Sequence, residues 1–221
     1  MKQKYKGVIF DMDGTLVDTL EDIAASMNRA LKFMGYPELP VEEYLDKVGW
    51  GTERLAFLSL PEKERQKETA ARLAAQMSLF YAEAPLVHTR PYTGIPELVS
   101  ALKQRKIKIA VLTNKTDPVA QKVAAGLFPS GSFDRVQGGA PGKPLKPDPA
   151  SVWELLVELD LAPSDTIFVG DSEVDIETAV SSGCFPLGIS WGYRSRETIL
   201  KAGARRIIEK PEELLDLLIP N

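Results

Sequence analysis

One cysteine and one histidine in 221 residues leave this chain short of soft metal ligands. Cys184 on its own excludes an intramolecular disulfide and a four-cysteine zinc site. Its setting, SSGCFPLGIS, reads as that of a small buried hydrophobe. No apolar run approaches the ~20 residues that a membrane-spanning helix needs. The N-terminal run in MKQKYKGVIF is stopped by Asp11, so no signal peptide is expected and the chain reads as cytoplasmic. Neither sign of charge dominates, with 27 Lys and Arg against 31 Asp and Glu. That balance gives no electrostatic case for nucleic acid or an anionic membrane as partner. Internal repeats and low-complexity segments are missing too.

What is present is an alternation. YKGVIF (5–10), IKIAVL (107–112), TIFVG (166–170) and CFPLGIS (184–190) are β-rich runs, and ARRII (204–208) is a weaker one. Amphipathic stretches separate them: GIPELVSALKQR (94–105), DPASVWELLVELD (148–160) and EVDIETAVSSG (173–183). Continuous apolar strands alternating with helices predict a doubly wound α/β fold, its parallel sheet covered on both faces. Between Leu16 and Pro91 the rhythm breaks. Helical patterns at 20–34, 41–47, 51–59 and 62–84, with no convincing strand, predict a helical domain inserted after the first strand. The expected division is 1–16 and 86–221 for the core and 17–85 for the insertion, with crossings near 16–19 and 85–90. The Gly- and Pro-rich stretch at 138–149 is expected to be a loop.

Each informative polar cluster directly follows a predicted strand. Asp11 and Asp13 follow the first, Thr113, Asn114 and Lys115 the second, Asp171 and Asp175 the third. In an open parallel sheet these strand ends share one edge, where ligands bind. Helix capping explains Ser172 or Asp18 equally well. It does not explain DMDGT, because two carboxylates one residue apart at a strand end repel unless a cation lies between them. Asp11, Asp13 and Asp171 offer oxygen only, which suits magnesium. A carboxylate beside the metal can attack phosphorus, and a second can move protons to the leaving oxygen and from water. Thr113, backbone N–H groups and Lys146 would then hold the phosphate oxygens.

On these residues the chain resembles the haloacid dehalogenase superfamily phosphatases, and more narrowly the phosphoglycolate phosphatases with a helical cap. FDMDGTLVDT (10–19) matches the first family motif, VLTNK (111–115) the second, KPLKPDP (143–149) the third and VGDSEVD (169–175) the fourth. The resemblance implies a Rossmann-like core with Asp11 as nucleophile, Asp13 as general acid/base and Lys146 bridging nucleophile and phosphoryl group. Thr113 and the Asn114 backbone would bind phosphate. Mg2+ would be held by Asp11, Asp171 and the main-chain carbonyl of Asp13, with Thr15 and Asp175 supporting from behind. It further implies a small phosphorylated metabolite as substrate, 2-phosphoglycolate foremost, in a monomer or homodimer.

Other readings stay open at this level. Pyrophosphate, a phosphosugar, or a β-phosphoglucomutase-like mutase would use the same motifs. A response-regulator receiver or a retired phosphate-binding protein is the non-enzyme reading, although a receiver has no use for Asp13 or a cap. Trp50, Arg54 and Lys47, within KVGWGTERLAFL (47–58), are expected as possible substrate contacts from the cap, with surface or packing roles the alternative. Arg194 and Arg196 are expected at the surface, and His88 in an incidental or linker-packing role.

Overall fold

A computed structural model describes residues 4–218. The chain enters through β1 (Gly7–Phe10) and a short β2 (Val17–Asp18), then runs through α1 (Leu20–Phe33), α2 (Thr52–Ser59) and α3 (Lys67–Glu83). It returns through β3 (Arg90–Pro91) and α4 (Ile95–Gln104) to β4 (Lys108–Thr116), α5 (Asp117–Leu127) and β5 (Arg135–Gly139). Then follow α6 (Ala150–Glu158), β6 (Thr166–Gly170), α7 (Glu173–Ser182), β7 (Phe185–Ile189), α8 (Arg196–Lys201), β8 (Arg206–Ile208) and α9 (Leu214–Leu217).

Six strands form one parallel sheet in the order β5-β4-β1-β6-β7-β8. The chain builds outward from β1 to one side, then restarts on the other, so the winding reverses between β4 and β6. That reversal opens a crevice at the C-terminal end of β1, immediately before Asp11. Alternating side chains serve opposite faces. Val8, Phe10, Ile109, Val111, Ile167 and Val169 join the apolar core beneath α4 and α5. Ile9, Ala110, Leu112 and Phe168 face the second core, under α6 and α7, together with the buried Cys184. The doubly wound α/β expectation is met.

The helical layer lies between β1 and β4 in sequence, with α1 and α2 both packed on α3. Met27, Leu31, Leu55, Leu73 and Met77 are buried in it. Its two connections to the sheet run side by side, because β2 and β3 pair antiparallel with Val17 opposite Pro91. Three expectations need correcting. The segment 41–47 makes only a short 3-10 turn (Val41–Tyr44). The long helical pattern at 62–84 divides into a 3-10 turn and α3. The loop expected from residue 138 begins inside β5, where Gly138 and Gly139 still belong to the strand.

Candidate active site

β1, β4 and β6 end at one edge, and the residues that follow or finish them meet there. Lys146, from the loop between β5 and α6, places Nζ 2.8 Å from Asp11 Oδ1 and 2.6 Å from Asp175 Oδ1. The other Asp175 oxygen accepts hydrogen bonds from the Ser172 amide (3.1 Å) and hydroxyl (2.6 Å). The bond from the Ser172 amide is one half of the capping box of α7, the other being the Asp175 amide donating to the Ser172 side chain, so one carboxylate both starts the helix and anchors the lysine. Asp171 accepts from the Thr15 hydroxyl at 3.0 Å and from the Tyr193 amide at 2.8 Å. Backbone closes on Asp171 from two sides only because both approaches are glycine. A Cβ on Gly14 (φ +81) would lie 2.5 Å from Asp171 Oδ2, and one on Gly192 would lie 2.2 Å from Asp171 Cβ.

Asp13 belongs to a neighbouring network. Its Oδ1 accepts from the Thr19 hydroxyl at 2.7 Å and lies 2.9 Å from Lys115 Nζ. Lys115 also donates to the Tyr81 hydroxyl of α3 at 2.7 Å. The Asn114 side chain is spent on structure. It donates to the carbonyls of Gly49 (2.9 Å) and Lys146 (3.0 Å) and accepts from the Lys146 amide (2.8 Å). Thr113 Oγ1 accepts from the Lys115 amide at 3.2 Å, which leaves its own proton for another acceptor.

Electrostatics set the two lysines apart from the acids. Burial, and then the charge of Asp175, push Asp171 up to about 7; the same causes raise Asp11 well above the usual carboxylate range. Burial works against the Lys146 ammonium, but Asp11 and Asp175 outweigh it and hold it charged. For Lys115, Asp13 likewise outweighs burial.

Oxygens of Asp11, Asp171 and Asp175 all lie within 4.8 Å of one another. Three buried carboxylates against the single ammonium of Lys146 leave negative charge uncompensated. Asp11 Oδ1, although close to Lys146, receives no aligned hydrogen bond. An all-oxygen donor set with surplus charge and an orphaned oxygen fits a hard divalent cation. The cluster of carboxylates holds Asp175 beside the expected ligands Asp11 and Asp171, and the Asp13 side chain lies outside it. Both Asp175 oxygens are committed to Lys146 and Ser172, while Asp13 meets Lys115 and Thr19 through Oδ1 alone.

Above these acids lies a cleft of roughly 550 Å³, its open mouth included. Asp11, Asp13, Thr113, Asn114 and Lys115 line its floor, and Ile23, Val48, Leu55, Met77 and Tyr81 line the facing helical wall. The expected cap contacts do not reach it. Lys47 bonds the Glu43 carbonyl, Trp50 Nε1 donates to Glu173 at 3.1 Å, and the exposed Arg54 lies over the Trp50 ring. Arg194 was expected at the surface, but its side chain is only 7% exposed. Its guanidinium donates to the carbonyls of Leu45, Asp46 and Val48 and lies 3.3 Å from Glu173. Three carbonyls at the end of a helical-layer turn are thus held by the loop after β7. Arg196 does remain exposed, and so does His88, 3.3 Å from Glu21. Sequence reasoning gave no role to Tyr81, Thr19, Tyr193 or Arg194. Only their convergence in space marks them.

Residues 8–189 match the family model described as haloacid dehalogenase-like hydrolase, and the chain belongs to that family. It is 33% identical over 224 residues to a phosphoglycolate phosphatase of Mannheimia succiniciproducens, covering 99% of this chain and 100% of that one. Against a phosphoglycolate phosphatase of Aquifex aeolicus it is 33% identical over 186 residues, covering 84% and 85% of the two chains. A crystal structure from Lactobacillus delbrueckii subsp. bulgaricus, of a protein provisionally assigned as a phosphoglycolate phosphatase, superposes with a TM-score of 0.89 at 31% identity. The match covers 99% of this chain and 100% of that one. The chain is a phosphoric monoester hydrolase of the phosphoglycolate phosphatase-like branch, acting on a small phosphorylated metabolite. No helix among the described residues is long and apolar enough to cross a membrane.

Proposed function

We propose that this hydrolase is a magnesium-dependent phosphatase that forms an aspartyl-phosphate on Asp11, with 2-phosphoglycolate as its substrate. The observation that carries the reading is the pairing of Lys146 with Asp11, which itself lies on the floor of the cleft beside Asp13 and belongs to the cluster with Asp171. An Asp11 oxygen attacks phosphorus as the ester P–O bond breaks, and Asp13 gives the leaving oxygen its proton. Water then attacks the same phosphorus, Asp13 takes the proton back, and the bond to Asp11 breaks to release phosphate. Lys146 and the Thr113 proton hold the phosphoryl oxygens as charge builds on them. Asp11, Asp171 and the main-chain carbonyl of Asp13 would hold magnesium, which would supply further charge compensation at the phosphoryl oxygens.

Residues 17–85 act as the cap and the rest as the core, with the β2–β3 pair as the passage between them. Closure of that cap over the cleft keeps bulk water and large substrates away from Asp11. Every group invoked comes from one chain, so a monomer or a homodimer serves equally. The names of the full-length relatives support 2-phosphoglycolate over pyrophosphate or a phosphosugar. The test is phosphate release from 2-phosphoglycolate, other small esters and pyrophosphate, with magnesium and with EDTA. Magnesium-dependent release with 2-phosphoglycolate preferred is expected. Equal release in EDTA would overturn the metal requirement, and a preferred pyrophosphate or sugar phosphate the substrate.

A further inference from the structure

We propose that Lys115, together with Tyr81, is the specificity element of the cleft and reads a carboxylate on the substrate next to the ester oxygen. The inference rests on the phosphatase reading above and deepens it. Among the residues lining the cleft, Lys115 is the single cation, and the helical wall opposite it is largely apolar. Its side chain is 3% exposed. An ammonium carries three protons. Two are taken, by Asp13 at 2.9 Å and by the Tyr81 hydroxyl at 2.7 Å, and the third has no acceptor among the described residues. A buried donor of that kind is costly unless a ligand oxygen takes it.

The position of Lys115 says which ligand oxygen fits. Asp13 is the group that serves the leaving oxygen, and Lys115 touches Asp13. A substituent one carbon away from the leaving oxygen therefore arrives beside both. A carboxylate there meets Lys115, the cation of the cleft, which also touches Asp13. Tyr81 accepts from Lys115, so its own proton is free for the second carboxylate oxygen. The substrate class is then the phosphate ester of a short 2-hydroxy acid. Lys115 stands on β4 and Tyr81 on α3, so one carboxylate would join sheet and helical layer, linking substrate charge to cap closure.

The experiment compares kcat/KM for 2-phosphoglycolate and for ethyl phosphate, which replaces the carboxylate with a methyl group. In Lys115→Met both values fall through the loss of contact with Asp13, so only their ratio is read. That ratio is expected to shrink about 10- to 100-fold, the range for a hydrogen bond to a charged group. Tyr81→Phe keeps the Lys115–Asp13 pair and should shrink the ratio about 3- to 10-fold. An unchanged ratio in both variants would overturn the proposal, as would a wild-type protein with no preference for the carboxylate. If Lys115→Met does not fold, the Tyr81→Phe ratio decides alone. Turnover of neither ester by folded wild-type protein would instead sink the phosphatase reading beneath it.

Discussion

Lys146→Met preserves most of the side-chain volume and removes the one cation set against Asp11 and Asp175. The lysine side chain is 2% exposed, so water cannot take the place of its ammonium. Deleting one partner of a buried ion pair costs roughly 3–5 kcal/mol. In a chain of this size each kcal/mol moves the midpoint by about 2–4 °C, so Tm should fall by about 6–20 °C. The fall should be largest near pH 8 in EDTA. Asp11 and Asp171 already sit above the usual carboxylate range through burial and then Asp175, and losing the ammonium pushes Asp11 further up. A carboxyl whose folded pKa exceeds its unfolded value binds a proton on folding, so stability rises as pH drops from the folded value toward about 4. The gap between variant and wild type should therefore narrow by pH 5. Magnesium at millimolar concentration should raise the Tm of the variant more than that of wild type. Calorimetric scans at both pH values, with and without metal, read all of this. A variant within about 2 °C of wild type at pH 8 in EDTA would refute the charge accounting of the site.

Two further perturbations probe other parts. Arg194→Ala removes bonds to three helical-layer carbonyls and the contact with Glu173, at a cost of about 2–4 kcal/mol. It should lower Tm, raise KM more than it lowers kcat, and speed proteolytic cleavage near residues 45–50; unchanged proteolysis and KM would show that the clasp does not hold the cap. Asp13→Asn should lose more activity on 2-phosphoglycolate than on p-nitrophenyl phosphate, whose leaving group needs little protonation. Equal losses would count against a proton-transfer role for Asp13.

The sheet was legible because its central strands carry unbroken apolar runs, and Asp11, Thr113 and Asp171 could be grouped because each is positioned by such a strand. β5 was illegible for the opposite reason. RVQGG sits at the sheet edge and carries a charge, an amide and two glycines, so only its pairing with β4 identifies it. The helices α1 and α3 show in their patterns, but not how they set Tyr81 against Lys115. Position in three dimensions also reversed the reading of the charged residues. Arg54 and Lys47, expected as possible substrate contacts or surface charges, bond elsewhere, whereas the Arg194 guanidinium, expected at the surface, packs against backbone carbonyls. A lone arginine in GYRSRE carries no local sign of the carbonyls it will meet.

The central claim is that Asp11 carries the phosphoryl group. Wild-type protein mixed with substrate and magnesium, quenched in acid within the first turnover and digested, should yield an Asp11-containing peptide heavier by one phosphoryl group. Asp11→Asn should give no such peptide and no turnover while melting as a folded protein. A phosphorylated residue elsewhere, or full turnover by Asp11→Asn, would contradict the account.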